Sequence, residues 1–190
     1  MSWTRSIEPE AADPALAEIY RRIRGTSSRD RVARLWRGAA LDPRGLEALH
    51  ALYRALMSDP APLTRAQAEA IAVVVSATNA CGYCVAHHGP KLAAALGDEA
   101  LARSVALDYR AANLPARDRV LLDYAVSLTC EPEERTAADV ERLREYGFGD
   151  DAIVKCAEIA AYYNLTNRLA LGLGVALEPG DPAWEFGTQA

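Results

Sequence analysis

Residues 64–97 read TRAQAEAIAVVVSATNACGYCVAHHGPKLAAALG, and this stretch decides how the rest of the 190-residue chain is read. Thr64 and Gln67 stand three apart ahead of an apolar run, the spacing of a capping box in which each side chain satisfies a backbone N–H at the helix start. Ala68, Ile71, Val75 and Thr78 then recur at helical period, which predicts a helix running to about Asn79. Asn79 is placed to cap a second helix from Ala80, and Gly97 closes it, so 64–97 reads as a helical hairpin. Val73-Val74-Val75 is a strand signal only in isolation, because it lies inside the longer helical pattern.

The segment Ala70–Pro90 has no Asp, Glu, Lys or Arg and is long enough to span a bilayer. Ser76, Thr78, Asn79, His87 and His88 would have to be desolvated there, and Gly82, Gly89 and Pro90 would interrupt the helix. The segment is therefore expected in a protein interior, with no membrane partner. The first residues carry no apolar run that would mark a leader, and the expected location is cytoplasmic.

Working outward, Asp13-Pro14 and Asp42-Pro43 each place a cap before proline at the first helical position. Leu16, Ile19, Tyr20 and Ile23 form the stripe of the first helix; Leu46, Leu49, Tyr53 and Leu56 form that of the second. Past Gly97, helices are expected from Asp98 to about Tyr109, around Leu121–Leu128, from Thr136 to Gly147 and from Asp150 to about Gly172. Ala occurs 38 times and aromatic residues 13, a helix-forming composition. The expected fold is all-α, a compact bundle of seven or eight helices in a single domain over 1–190. Its parts are N-terminal helices (13–57), the hairpin (64–97) and C-terminal helices (98–178). A net charge of −5 gives no general attraction to phosphate, which argues against nucleic acid as a partner.

Cys81 and Cys84 form a Cys-x-x-Cys pair, a spacing associated with redox-active thiols in a cytoplasmic setting. At the start of a helix, both sulfurs feel the free N–H groups and the dipole that favour thiolate. Residues 81, 84 and 88 stand at i, i+3 and i+7, so His88 shares the cysteine face while His87 is rotated about 100° away. Glu69 is the only acid between Asp59 and Asp98, and a carboxylate in an apolar helix wants a partner. A reversal near Asn79 puts Glu69 about 15 Å before the turn, opposite a residue near His88. Glu69 is thus expected to orient His88, and His88 to exchange a proton with Cys84 directly or through one water.

These four residues at this spacing resemble the core of the alkylhydroperoxidase D (AhpD)-like, carboxymuconolactone decarboxylase superfamily, in particular its peroxidase-related branch. Leu121–Ala125, the Thr136–Gly147 helix and Ala161–Arg168 followed by Leu171–Val175 extend the similarity to about 130 residues. The resemblance implies an all-helical AhpD-like fold, trimers or hexamers, and a peroxidase reducing alkyl hydroperoxides with no bound cofactor. It casts Cys84 as the peroxidatic cysteine, Cys81 as the resolving cysteine and Glu69 with His88 as the proton relay. The external reductant would be a dithiol such as dihydrolipoamide or a thioredoxin-like protein. Where the family has histidine before its second cysteine, this chain has Tyr83, a poor base at neutral pH but a hydrogen-bond donor.

Other readings use the same residues. The thiols with His88 and Glu69 would serve a non-enzymatic redox or metal sensor, while a lactone lyase gives no reason for a dithiol. His87 and Tyr83 are secondary site candidates, and His50 belongs to the second helix's packing. Asn164, Asn167 and Arg168 are expected to bond between helices, and Cys130 and Cys156 fall in no motif.

Overall fold

The computed structural model describes residues 2–26 and 30–189. Among them lie nine α-helices, two short 3-10 turns and no strand. The helices are α1 (Pro14–Arg24), α2 (Arg34–Ala39), α3 (Pro43–Met57), α4 (Arg65–Thr78), α5 (Gly82–Leu96), α6 (Glu99–Asp108), α7 (Ala116–Cys130), α8 (Ala137–Glu145) and α9 (Asp150–Gly172). No helix of the described residues is long and apolar enough to cross a membrane.

Local chemistry sets most of these boundaries. Asp13 accepts from the Leu16 N–H at 2.9 Å, Asp42 from Gly45 at 3.1 Å and Asp98 from Leu101 at 2.9 Å. At α4, Thr64 and Gln67 bond reciprocally at 3.1 and 2.9 Å. Each such cap satisfies backbone donors that a helix start otherwise leaves open, at about 1 kcal/mol apiece.

The ninth helix, α2, escapes sequence reading because its caps are remote. Ala33 at its N-cap offers no acceptor, and the Arg34 N–H donates instead to Glu178 at 2.6 Å and the Leu35 N–H to the Tyr83 hydroxyl at 3.2 Å. Six residues are too few to show a period, so tertiary contacts define this element.

Helix α4 is the axis of the packing. Ala68 through Ala77 are all buried, with α5, α6, α7 and α9 around them. Ile71, Val73, Val74 and Val75 are fully enclosed with Leu92, Leu121, Leu122 and Ile159, each such side chain contributing roughly 1.5–3 kcal/mol by leaving water. A second cluster joins α1 and α3 through Leu16, Ile19, Tyr20, Ile23 and Leu46, and a third gathers Leu35, Cys81, Tyr83, Cys84, Ala170 and Val175.

The α4–α5 turn differs from expectation. Asn79 ends α4, and Cys81 occupies the N-cap of α5, whose helix begins at Gly82. Ala80 adopts φ 54°, which cannot continue either helix. The Cys81 N–H reaches back to the Ser76 carbonyl at 2.8 Å and the Ala80 N–H to Ala77 at 3.0 Å, closing α4 with a left-handed residue where glycine is usual.

The break falls just before Gly82, whereas the interruption expected at Gly89 and Pro90 is absent, since α5 runs through both. Gly82 is its first helical residue, and Gly89 leaves room for the Trp184 indole, which a Cβ would meet at 2.4 Å. The segment after α9 thus returns across α5.

Because an alanine at φ 54° carries a steric cost that glycine avoids, Ala80→Gly is expected to stabilise the fold by about 0.5–1 kcal/mol in urea unfolding. A loss of stability would contradict this account of the turn.

Candidate functional site

The hairpin brings Glu69 and His88 into contact. Glu69, 1% exposed on α4, places Oε2 at 2.7 Å from His88 Nδ1 on α5. Arg65, one turn earlier on α4, lies 3.6 Å from the other carboxylate oxygen. Burial acts to raise the Glu69 pKa, but His88, Lys91 and Arg65 together hold it below the usual carboxylate range. His88 moves the opposite way from a solvent-exposed imidazole: burial first, then the Lys91 charge, push it down to about 4 against the pull of Glu69. At neutral pH the arrangement is an ionised carboxylate and a neutral ring. The ring's Nδ1–H donates to Glu69, so Nε2 carries the free lone pair.

Sequence reading did not single out the residue at Nε2. Tyr163 of α9 brings its hydroxyl to 3.1 Å from that nitrogen and lies edge-on to the imidazole, with ring centroids 4.8 Å apart. Burial and the Glu69 charge push its phenol pKa far up, so Tyr163 stays a donor. Its signal was its place on the inner stripe of α9, where a tyrosine reads as packing unless its hydroxyl's partner is known.

The thiols sit at the head of α5. Cys81, at the N-cap, is fully buried; Cys84, one turn on, is 4% exposed and faces a cavity of about 590 Å³ whose walls include Glu69, His88 and Tyr163. The neighbouring Cys84 thiol, followed by the backbone N–H groups of Cys84 and Tyr83, holds the Cys81 pKa below the usual thiol range despite burial. Cys84 is raised by Cys81 and by its own burial. The two behave as one dithiol that loses its first proton readily and its second with difficulty. Asn167, which donates to Ser76 Oγ at 3.0 Å, stabilises a thiolate on either sulfur.

Asn79, expected as a helix cap, instead donates to Asn164 and Asn167, each at 3.0 Å, and ties the hairpin turn to α9. Arg168 bonds within its own helix, to the Asn164 carbonyl at 2.8 Å.

Tyr83 and His87 belong to a second group. The Tyr83 hydroxyl donates to Glu178 at 3.2 Å, and burial pushes its pKa upward, so it acts as an anchor for the chain end. His87 Nδ1 bonds to the Tyr83 carbonyl at 2.9 Å, and its Nε2 lies 3.3 Å from Glu178. Cys156 is buried and pushed up to about 12, which makes it inert, while Cys130 is exposed.

Among the described residues, the only set of three or more possible metal donors within 4.8 Å of one another is His87, Glu178 and Asp181. Arg31 bonds to Asp181 and lies 4.0 Å from Glu178, so a guanidinium already supplies positive charge there. The thiols, His88 and Glu69 do not meet as one ligand set.

A ring that is neutral in the fold but protonates near 6.5 when unfolded takes up protons on unfolding between those two values. Stability is therefore full above about pH 6.5 and falls as pH drops toward 4. His88→Gln should flatten part of that fall in thermal unfolding, and an NMR titration should keep His88 neutral at pH 6. A His88 pKa at or above 6.5 would refute the buried, neutral assignment.

The carboxymuconolactone decarboxylase family model matches residues 43–106, which span α3 to most of α6. An uncharacterized peroxidase-related protein from Ralstonia eutropha JMP134, described as having an alkylhydroperoxidase AhpD core, shares 31% identity at a TM-score of 0.85, covering 94% of this chain and 93% of its own. An uncharacterized peroxidase-related protein from Silicibacter sp. TM1040 shares 32% identity at 0.81, covering 90% of each chain. The debrominase Bmp8, at 16% identity, 87% of each chain and a TM-score of 0.73, shares the fold. No curated protein matches. With nearly a third of its residues identical over nine-tenths of two such proteins, the chain belongs to the AhpD-like, carboxymuconolactone decarboxylase superfamily.

Proposed function

We propose that the protein is a thiol-dependent peroxidase that reduces organic hydroperoxides through a Cys81–Cys84 dithiol/disulfide cycle. The observation that carries this reading is Cys84 on the cavity wall with Cys81 enclosed behind it. Membership of a superfamily with peroxidase-related members supports it.

In the proposed cycle, neutral His88 takes the Cys84 proton by way of the Tyr163 hydroxyl, and Glu69 stabilises the imidazolium. The Cys84 sulfur attacks the terminal peroxide oxygen and the O–O bond breaks. The departing alkoxide takes the proton held by His88 to give an alcohol, and Cys84 is left as sulfenic acid. The Cys81 thiol then attacks the Cys84 sulfur, forming the disulfide and releasing water. An external dithiol, such as dihydrolipoamide or a thioredoxin-like protein, reduces that disulfide and is itself oxidised. Tyr83, bonded to Glu178, takes no part in the relay. Val154, Leu165 and Leu171 stay exposed along α9 and support self-association into a homo-oligomer, to be measured by light scattering.

With dithiol supplied, the protein should consume hydroperoxide over many turnovers, and Cys84→Ser should abolish this. Cys81→Ser should stop after one equivalent and accumulate a sulfenic acid that a 1,3-dione traps on Cys84. Trapping on the other sulfur in Cys84→Ser would reverse the roles. Oxidation of one dithiol per chain without turnover would replace the enzyme by a redox sensor.

If Tyr163 passes the proton, Tyr163→Phe should lower kcat/KM by about tenfold and change its pH profile, while Glu69→Gln should cost about a hundredfold. An unchanged profile in Tyr163→Phe would confine Tyr163 to packing.

A further inference from the structure

The cavity is far larger than a peroxide group needs. At about 590 Å³ it falls in the range of sites that enclose drug-sized molecules, whereas a water molecule occupies about 30 Å³ in the liquid. Its wall opposite the hairpin is built of flat faces from three helices. Tyr53 stands at the centre, with Trp36 at 6.1 Å, His50 stacked at 6.3 Å and Tyr162 at 6.2 Å between ring centroids. Such an array favours a planar apolar guest that completes the same edge and face contacts.

The charges lining the cavity are unlike those of the chain. The chain carries −5, but the cavity walls hold Arg31, Arg65 and Lys91 against the single carboxylate of Glu69. Arg31 is engaged by Asp181, and Arg65 bonds the Met57 carbonyl and lies 3.6 Å from Glu69. Lys91 is the cation without an ion-pair partner: its Nζ donates to the Tyr53 hydroxyl at 3.0 Å, and among the described residues no carboxylate lies within ion-pair distance of it. It stands on α5 three residues beyond His88, one turn along the same helix face. An ammonium in a partly enclosed site, two helical turns along α5 from the reacting thiol and against an aromatic wall, is a receptor for an anionic group on a flat molecule.

We propose that the cavity selects a carboxylated aryl hydroperoxide, its carboxylate on Lys91 and its ring against Tyr53 and Trp36, so that the peroxide reaches Cys84. This deepens the peroxidase reading and rests on it.

The test compares 4-(2-hydroperoxypropan-2-yl)benzoate with cumene hydroperoxide, which lacks only the carboxylate. The wild-type protein should favour the benzoate in kcat/KM by about tenfold or more, and the preference should shrink as salt rises. Lys91→Met should abolish the preference, chiefly through KM, and Lys91→Arg should retain most of it. In parallel, the product alcohols, 4-(2-hydroxypropan-2-yl)benzoate and 2-phenyl-2-propanol, are titrated by calorimetry with tryptophan emission as a second readout. Equal handling of charged and neutral members in both assays would overturn the proposal and leave the peroxidase reading standing. Absence of any turnover, with the benzoate still binding in a Lys91-dependent way, would sustain the pocket assignment and remove the peroxidase reading. The wild-type ratio and its salt dependence carry the test even if Lys91→Met does not fold.

Discussion

The hydrogen bond between Glu69 and His88 is the constraint around which the structure is arranged. An ionised carboxylate at 1% exposure is tolerable only with a donor in place, and here the donor comes from the adjacent helix. That requirement fixes the register of α4 against α5 and puts the thiols at the head of α5 within the same enclosed region. It also assigns the ring tautomer, because the nitrogen facing Glu69 must carry hydrogen, and so leaves the other nitrogen to accept from the Tyr163 hydroxyl.

Around this pair the fold supplies a third wall. Helix α9 contributes Tyr163 to the imidazole and Asn167 to the thiols, and the bonds of Asn79 to Asn164 and Asn167 hold the hairpin turn against it. The chain end supplies a fourth. Glu178 accepts from the first turn of α2 and from Tyr83, and Trp184 lies on Gly89, so segments distant in sequence close the side of α5 away from α4. The cavity beside Cys84 exists because α2 and α3 stand off from this closed side and face it with aromatic rings.

Electrostatics follow from enclosure. Burial moves His88 down and Tyr163 up, so both are neutral at neutral pH, while the Glu69 carboxylate keeps its charge. The dithiol shares its protons, and the N–H groups at the start of α5 favour a single negative charge on the pair. The Tyr83 hydroxyl is engaged elsewhere, donating to Glu178 and accepting from the Leu35 N–H.

What the amino-acid sequence determined by itself is what depends on neighbours a few residues apart. Caps at Asp13, Asp42, Thr64 and Asp98, and helical periodicity behind them, mark most of the helices because a cap bonds within three residues of itself. The proximity of Glu69 to His88 was legible for the same reason, as a hairpin with a short turn makes opposite positions a matter of counting. Tertiary structure alone decided the rest. Helix α2 is capped by residues more than forty positions away, Ala80 takes a left-handed conformation that its side chain does not advertise, and α5 runs through Gly89 and Pro90 with a distant tryptophan seated where a Cβ at Gly89 would be. Tyr163 reads as core until α9 is packed, since periodicity reveals which face of a helix is buried but not which atom on another helix its hydroxyl will meet.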